Sequence, residues 1–301
     1  MSLGATSLRL LRDADLDPSV VVEQVQRALD EDLVYGPDIT SLATVQEDQQ
    51  VTAEFAVRGA GVIAGLPLVA VALDVVVGAE RWSLGAAVRD GDSVRAGDVA
   101  VSVTAPTREL LTAERTALNF LCHLSGVATL TARWVAAVDG TPVVVRDTRK
   151  TTPGLRVLEK YAVRVGGGAN HRMGLGDAAL VKDNHVLSAG GVAEAVAAVR
   201  ALDPTIPLEV EVDSLEQLQA AVSAGVTLVL LDNMSVSDLK ACVDWVAANG
   251  VATKLEASGG LTLEVVRDVA ATGVDFVAVG ALTHSAGILD VGLDLIEVVS
   301  R

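Results

Sequence analysis

Apolar and polar positions follow one rhythm in the first third of the chain and another in the remainder. In residues 19–33 the apolar side chains recur at helical spacing, which predicts an amphipathic helix, and residues 51–57 alternate polar with apolar as a half-buried strand does. The run GLPLVAVALDVVVG, residues 65–78, predicts a core helix. Residues 88–106, VRDGDSVRAGDVAVSVTAP, place two Gly-Asp turn signals between short apolar runs, the pattern of a small β-rich fold. A long helical pattern follows from residue 108 to about 137, with a break predicted at Ser125 and Gly126, and the main domain boundary falls in this helix. The first 18 residues match no pattern and read as a flexible extension.

After this helix the chain becomes regular. Apolar runs at 143–145, 178–181, 208–212, 228–231, 253–255 and 276–279 predict six strands, and helical patterns at 191–202, 214–224, 235–249 and 262–272 lie between them, several opened by Ser or Thr as an N-cap. Repeated βα units imply a parallel sheet, open or closed into a barrel. Polar residues follow every run: Arg149 and Lys150, Lys182 and Asp183, Glu211 and Asp213, Asp232 and Asn233, Glu256 and Ser258, Gly280 and His284. In a barrel the C-terminal strand ends share one face, so these residues converge, whereas an open doubly wound sheet would spread them along a crevice. The expected class is therefore α/β, an incomplete barrel because six units fall short of the usual eight.

Composition narrows the chemistry. Half of the 301 residues are hydrophobic and only 3% aromatic, so the core is built from Ala, Val and Leu, which suits helix-covered parallel strands. The net charge of −16 opposes nucleic-acid and acidic-membrane partners. Gly61, Gly65, Pro67 and Asp74 interrupt the most apolar window, residues 60–78, against a membrane-spanning reading. Two cysteines without metal-ligand spacing, and a first segment lacking a continuous apolar stretch, point to a cytoplasmic protein. Against the acidic background, residues 146–185 collect eight of the 23 cations, Arg146, Arg149, Lys150, Arg156, Lys160, Arg164, Arg172 and Lys182. Such a reversal of sign predicts a pocket for an anionic small molecule.

Individual residues support more than one reading. The segments ASGG (257–260) and GALTH (280–284), after the last two strands, suit backbone binding of phosphate or simple tight turns. Glu211 and Asp232 are hard oxygen ligands of the kind Mg2+ takes beside substrate phosphates, or else partners in ordinary ion pairs with Lys182 or Arg172. Arg side chains in this number suit a ligand with carboxylates as well as phosphates. His171 either donates to an anion or is a satisfied loop histidine, His185 organises its loop, and Asp147 and Asp183 orient neighbouring cations. Glu114, Arg115, Asn119 and His123 form a polar stripe on the long helix, with no derivable function.

The segment RDTRKTTPGLRVLEKYAVRVGGGANHRMGLGDAALVKDNH, 146–185, resembles the quinolinate phosphoribosyltransferases, the carboxylating nicotinate-nucleotide pyrophosphorylases of NAD biosynthesis. TAERTALNFLCHLSG (112–126), LEVEVDSLEQL (208–218), LVLLDNM (228–234), LEASGG (255–260) and VAVGALTHS (277–285) extend the similarity, in order, over nearly the whole chain. The resemblance implies an incomplete (open) α/β barrel at 127–285 and an N-terminal α/β sandwich domain at 1–126, to which the tail 286–301 returns. It further implies a homodimer with shared active sites, with higher assembly left open, in which Arg115 enters the neighbouring subunit's site. Arg149, His171, Arg172 and Lys182 are expected around the quinolinate carboxylates and Lys150 toward 5-phosphoribosyl 1-pyrophosphate. Glu211 and Asp232 are expected on the ribose and Mg2+ side, with Lys150 and these two as the catalytic set. Ser258, Gly259, Gly280 and His284 fall in the phosphate-binding loops. The implied reaction yields nicotinate mononucleotide, pyrophosphate and CO2.

Overall fold

The structure, a computed structural model, describes residues 2–299. The chain forms two compact units, one from residues up to 130, 164–166 and 286 onward, the other from 131–163 and 167–285.

The first unit opens with helices α1 (Ala5–Asp13), α2 (Pro18–Leu33) and α3 (Ile39–Thr44), followed by strands β1 (Gln50–Val57) and β2 (Gly61–Val62), helix α4 (Leu66–Val76) and strands β3 (Ser83–Ala87), β4 (Ser93–Val94) and β5 (Val99–Pro106). Helix α5 (Thr107–Ala137) then leads to the second unit. Asp17 and Asp38 cap α2 and α3 by accepting the N–H groups of Ser19 and Ser41. In β1 the residues Val51, Ala53, Phe55 and Val57 are buried and their neighbours half-buried, as the alternation predicted. Both Gly-Asp turns of 88–98 use one device: Asp92 and Asp98 each accept the N–H of the Arg three residues earlier, at 2.7 and 2.9 Å. Helix α4 is covered on all sides, and its buried Asp74 is satisfied by the Gly4 N–H and Trp82 Nε1, each at 2.8 Å.

Two expectations for this unit are corrected. The first 18 residues are no loose extension: α1 buries Ser7 and Leu11, and Gly4 is tied to Asp74. Nor does α5 break at Ser125 and Gly126. Ser125 Oγ bonds both the N–H and the carbonyl of Ala64, at 2.9 and 3.1 Å, and a Cβ on Gly126 would overlap the carbonyl oxygen of Gly287. The small pair marks a close backbone approach on a continuous helix.

The second unit contains β6 (Val144–Arg146), α6 (Arg156–Val165), β7 (Ala179–Val181), α7 (Asp183–Ala189), α8 (Val192–Leu202), β8 (Leu208–Val212), α9 (Leu215–Ser223), β9 (Leu228–Asp232), α10 (Val236–Ala248), β10 (Lys254–Ser258), α11 (Val266–Ala271), β11 (Phe276–Ala278) and α12 (Ala281–His284). The chain ends in β12 (Val291–Val299), which pairs antiparallel with β1 and completes the first unit's sheet, β12-β1-β5-β3. The second unit's six strands are all parallel, in the order β6-β11-β10-β9-β8-β7. First and last strands are neighbours, as in a barrel, but β6 and β7 do not pair, so the barrel is incomplete. Ser214 and Ser235 cap α9 and α10 as their positions predicted. Helix α7 falls where KDNH was read as loop; His185 Nδ1 accepts the Lys182 N–H at 3.0 Å and opens it. α11 is shorter than the predicted 262–272.

A buried ion pair positions the strand-end loops. Lys160 on α6 and Asp147 after β6 are both 0% exposed and paired. Lys160 Nζ also donates to the His171 carbonyl (2.9 Å), while Asp147 accepts the His171 N–H (2.9 Å) and Asn170 Nδ2 (2.5 Å). Burial pushes the Asp147 carboxyl up and the Lys160 ammonium down, and their mutual attraction and hydrogen bonds oppose both shifts. Lys160, counted from the sequence among the pocket cations, is thus a staple between the loops after β6 and before β7. Lys160→Met is expected to destabilise the protein by about 3–5 kcal/mol in denaturant titration, because it strands the buried Asp147 charge. Gly126→Ala is expected to cost about 1–3 kcal/mol, read the same way, as overpacking against Gly287.

Candidate active site

A cavity of about 510 Å³ opens at the C-terminal ends of the parallel strands. Thr148, Arg149 and Lys150 enter it after β6, and His171 and Arg172 from the loop before β7. Lys182 follows β7, Glu211 lies on β8, Asp232 ends β9, and Glu256 and Ser258 lie on β10 with Gly259 just beyond. Residues 111 positions apart thus share one wall, a convergence that comes only from the side-by-side strand ends. Gly280 stands between Lys150 and His284, and neither Gly280 nor His284 is in the cavity lining. Arg115 is exposed on α5 in the first unit.

One side of the cavity is cationic and incompletely satisfied. The buried Nε of Arg149 has no hydrogen-bond partner among the described residues. Arg172 donates from Nη1 to the Ala178 carbonyl at 2.9 Å, and burial, then the neighbouring Arg149 charge, lowers its pKa. Two guanidinium groups held close in this way favour an anion between them. Arg156, another of the counted cations, instead braces the loops, donating to Thr151 Oγ1 (3.1 Å), the Met173 carbonyl (3.1 Å) and the Arg149 carbonyl (3.4 Å).

The cavity also carries carboxylates. Glu211 Oε2 pairs with Lys182, the ion pair that the sequence left open as an alternative, and Asp232 Oδ2 accepts from Asn233 Nδ2 at 2.8 Å. Each acid keeps one oxygen without a protein partner among the described residues. Asn233, at φ 53°, adopts the left-handed conformation that Asn tolerates, and its N–H bonds the Ser258 carbonyl at 2.9 Å. A Cβ on Gly259 would overlap the Asn233 amide, so glycine is required for this close approach.

Lys150 is anchored from the last βα unit. Thr283 Oγ1, buried at the head of this turn, bonds the Lys150 carbonyl at 2.7 Å and the Gly280 carbonyl at 3.1 Å. A Cβ on Gly280 would stand 3.0 Å from Lys150 Cδ and 3.2 Å from His284 Nε2, so the bare glycine leaves room for the lysine stem. Thr283 carried no signal in the sequence, since a lone threonine in a short turn reads as a polar surface residue.

Beneath the cationic side lies a buried group. His171 Nε2 is 2.8 Å from Glu209 Oε2 and 3.3 Å from Glu256 Oε1, and Arg146 Nη1 binds Glu256 Oε2 at 2.6 Å. The other ring nitrogen, Nδ1, accepts the Arg172 N–H at 2.7 Å. Burial disfavours charge on the ring, but Glu209 and Glu256 outweigh it and push its pKa up to about 9. Burial likewise raises the Glu209 carboxyl, against the pull of the His171 ring. Glu209 was missed at the sequence level: in LEVEV an alternating Glu reads as a solvated face, yet parallel strands are covered on both faces.

Comparison with known proteins agrees with this architecture. The family models for the N-terminal and C-terminal domains of quinolinate phosphoribosyl transferase match residues 38–125 and 127–294. A nicotinate-nucleotide pyrophosphorylase [carboxylating] of Mycobacterium leprae is 51% identical over 286 residues, 95% of this chain and all of that protein. A probable enzyme of the same name from Bacillus subtilis is 38% identical, over 88% of this chain and 90% of its own length. Among solved structures, the nicotinate-nucleotide pyrophosphorylase of Francisella tularensis superposes with a TM-score of 0.87 at 37% identity, covering 93% of this chain and 98% of its own. NadC of Streptococcus pyogenes gives 0.87 at 38% identity, covering 94% and 99%. With both domain models matched in order and the same fold in its relatives, the chain belongs to the quinolinate phosphoribosyltransferase family.

Proposed function

We infer that the protein transfers the phosphoribosyl group of 5-phosphoribosyl 1-pyrophosphate to quinolinate with decarboxylation, the reaction of its family in NAD biosynthesis. The observation that carries this reading is one cavity lined both by Arg149, whose buried Nε has no hydrogen-bond partner among the described residues, with Arg172 beside it, and by Glu211 and Asp232. A ring bearing two carboxylates matches the arginines, and Glu211 and Asp232 match a ribose and, with Mg2+ between, its pyrophosphate.

In the reaction the quinolinate nitrogen attacks the anomeric carbon as pyrophosphate departs, and the ribose ring gains oxocarbenium character. Arg149, Arg172 and Lys182 hold the acid groups, and Lys150 stabilises the departing anion by charge. Ser258, Gly259, Gly280 and His284 line the loops that take phosphate. Glu211 and Asp232, each with one free oxygen, fit Mg2+, which when bound neutralises pyrophosphate charge. Their negative charge also favours the cationic sugar. Alkylation makes the ring nitrogen positive, so the electron pair left on the ring when CO2 departs is stabilised, and a proton then replaces it. Alignment of both substrates is the main contribution of the side chains.

The exposed Arg115 on α5 supports a second part of the proposal: a homodimer, open to higher assembly, in which Arg115 completes the partner's site. Exposed Val34, Tyr35 and Ile39 in the same unit suit a protein contact. Two buried, free cysteines, Cys122 and Cys242, support a reducing, cytoplasmic setting. No single helix among the described residues is long and apolar enough to cross a membrane.

Purified protein given quinolinate, the pyrophosphate donor and Mg2+ is expected to release CO2, with nicotinate a far poorer acceptor; folded protein without quinolinate-dependent CO2 refutes the assignment. Chelation of Mg2+ is expected to abolish turnover, and Glu211→Gln or Asp232→Asn to lower kcat/KM by about 100-fold or more, as loss of electrostatic stabilisation typically does. Arg115→Ala and Lys182→Ala are each expected to be nearly inactive and, when mixed, to recover part of the activity through one intact shared site. Verified mixed dimers that stay inactive count against the shared site.

A further inference from the structure

We propose that Thr283 is a positioning residue for the transfer step: its buried hydroxyl holds the Lys150 peptide, so that the lysine stem runs across Gly280 and the ammonium stands where pyrophosphate departs. The proposal rests on the reading of Lys150 as the group that stabilises the departing anion.

The contact is a product of sheet pairing. Strands β6 and β11 are parallel neighbours, with Ala278 opposite Arg146 and the Val279 N–H on the Arg146 carbonyl at 2.9 Å. The segments 147–150 and 280–284 therefore leave the sheet side by side, although Lys150 and Thr283 are 133 positions apart. Leu282 and Thr283, 0% and 2% exposed, anchor their turn in the core, whereas Lys150 is exposed. The buried partner thus fixes the exposed one. Thr283 is not in the cavity lining, so its influence on a substrate passes through another residue.

Thr283 Oγ1 has one proton and two carbonyls within reach, that of Lys150 at 2.7 Å and that of Gly280 at 3.1 Å. Bonding back to Gly280, three residues earlier, is the ordinary behaviour of a threonine in a helical turn and is the competing role. The Gly280 carbonyl, however, already accepts the N–H groups of Thr283 and His284, at 3.2 and 3.4 Å. The Lys150 carbonyl has no other donor among the described residues. The shorter contact and the unserved acceptor both assign the proton to Lys150. On the other side of the same residue, the Lys150 N–H donates to Thr148 Oγ1 at 3.0 Å. Hydroxyl groups therefore hold Lys150 before and after its Cα, and its Cδ lies directly over Gly280. Four rotatable bonds give a lysine ammonium a wide reach, so the fixed peptide beneath it decides where the charge is delivered.

The test compares Thr283→Val, which removes the hydroxyl from a branched side chain, with Thr283→Ser, which keeps it, in the full-length protein. Thr283→Val is expected to lower kcat/KM for the pyrophosphate donor about tenfold and to leave the quinolinate Kd, measured without donor, within about twofold. Thr283→Ser is expected to stay within about threefold of the unaltered protein. Thr283→Ala reads the same way as valine if the valine variant does not fold. In a Lys150→Ala background, followed at high enzyme concentration, Thr283→Val is expected to add less than about a twofold loss, because the group it acts through is gone. An unchanged valine variant, a serine variant no better than valine, a quinolinate Kd that rises in step with the loss, or equal losses in both backgrounds overturns the proposal. A crystal structure of Thr283→Val supplies an arm that does not depend on the assigned reaction. The Lys150 stem is expected to leave Gly280, and a stem that stays in place overturns the proposal, whereas absence of turnover in the unaltered protein refutes the functional reading alone.

Discussion

The ion pair between Asp147 and Lys160 is the constraint on which the site depends. Two opposite charges in a fully apolar setting are costly to bury, and the cost is offset only when every remaining donor and acceptor finds a partner. Here the partners are the backbone of His171 and the amide of Asn170, so the electrostatic requirement of the pair dictates the path of the glycine-rich loop. Arg149 and Lys150, immediately after Asp147, and Arg172, immediately after His171, are brought to the same wall as a consequence. An apolar core could have sealed the space between β6 and α6, but it would not have set the register of two loops against each other.

Charges in the second unit sort into tiers by burial. Lys160 and Arg146 lie below the cavity and are neutralised by Asp147 and Glu256. Arg149 and Arg172 lie at its wall, Arg149 with its buried Nε unpartnered among the described residues and Arg172 held by the Ala178 carbonyl. Lys150 and Lys182 reach into solvent, with Lys182 held by Glu211. This sorting explains how a chain with net charge −16 sustains an anion-binding cavity: the deep cations are spent on structure, and only the upper ones remain for ligands.

Much of the fold was legible because its units are local. Alternation in 51–57, the caps at Ser214 and Ser235, and the six apolar runs each reflect short-range physics, and the parallel order follows from βα repetition. The places where the reading failed are long-range. Ser125 and Gly126 have the composition of a break, and only the proximity of Ala64 and Gly287 shows that they are a packing contact. Helix α1 contains little that marks it as anchored until Asp74, 70 residues from Gly4, is seen to need a donor.

By itself the sequence determined the succession of βα units, the sign and position of the charged segment, and which residue types stand at the strand ends, because these depend on residue order and on side-chain chemistry. Tertiary structure alone decided which charges are structural and which face the cavity. Lys160 and Lys150 are the same side chain ten residues apart, one sealed against Asp147 and the other laid across Gly280. The distinction is one of burial, and burial is a property of neighbours remote in sequence.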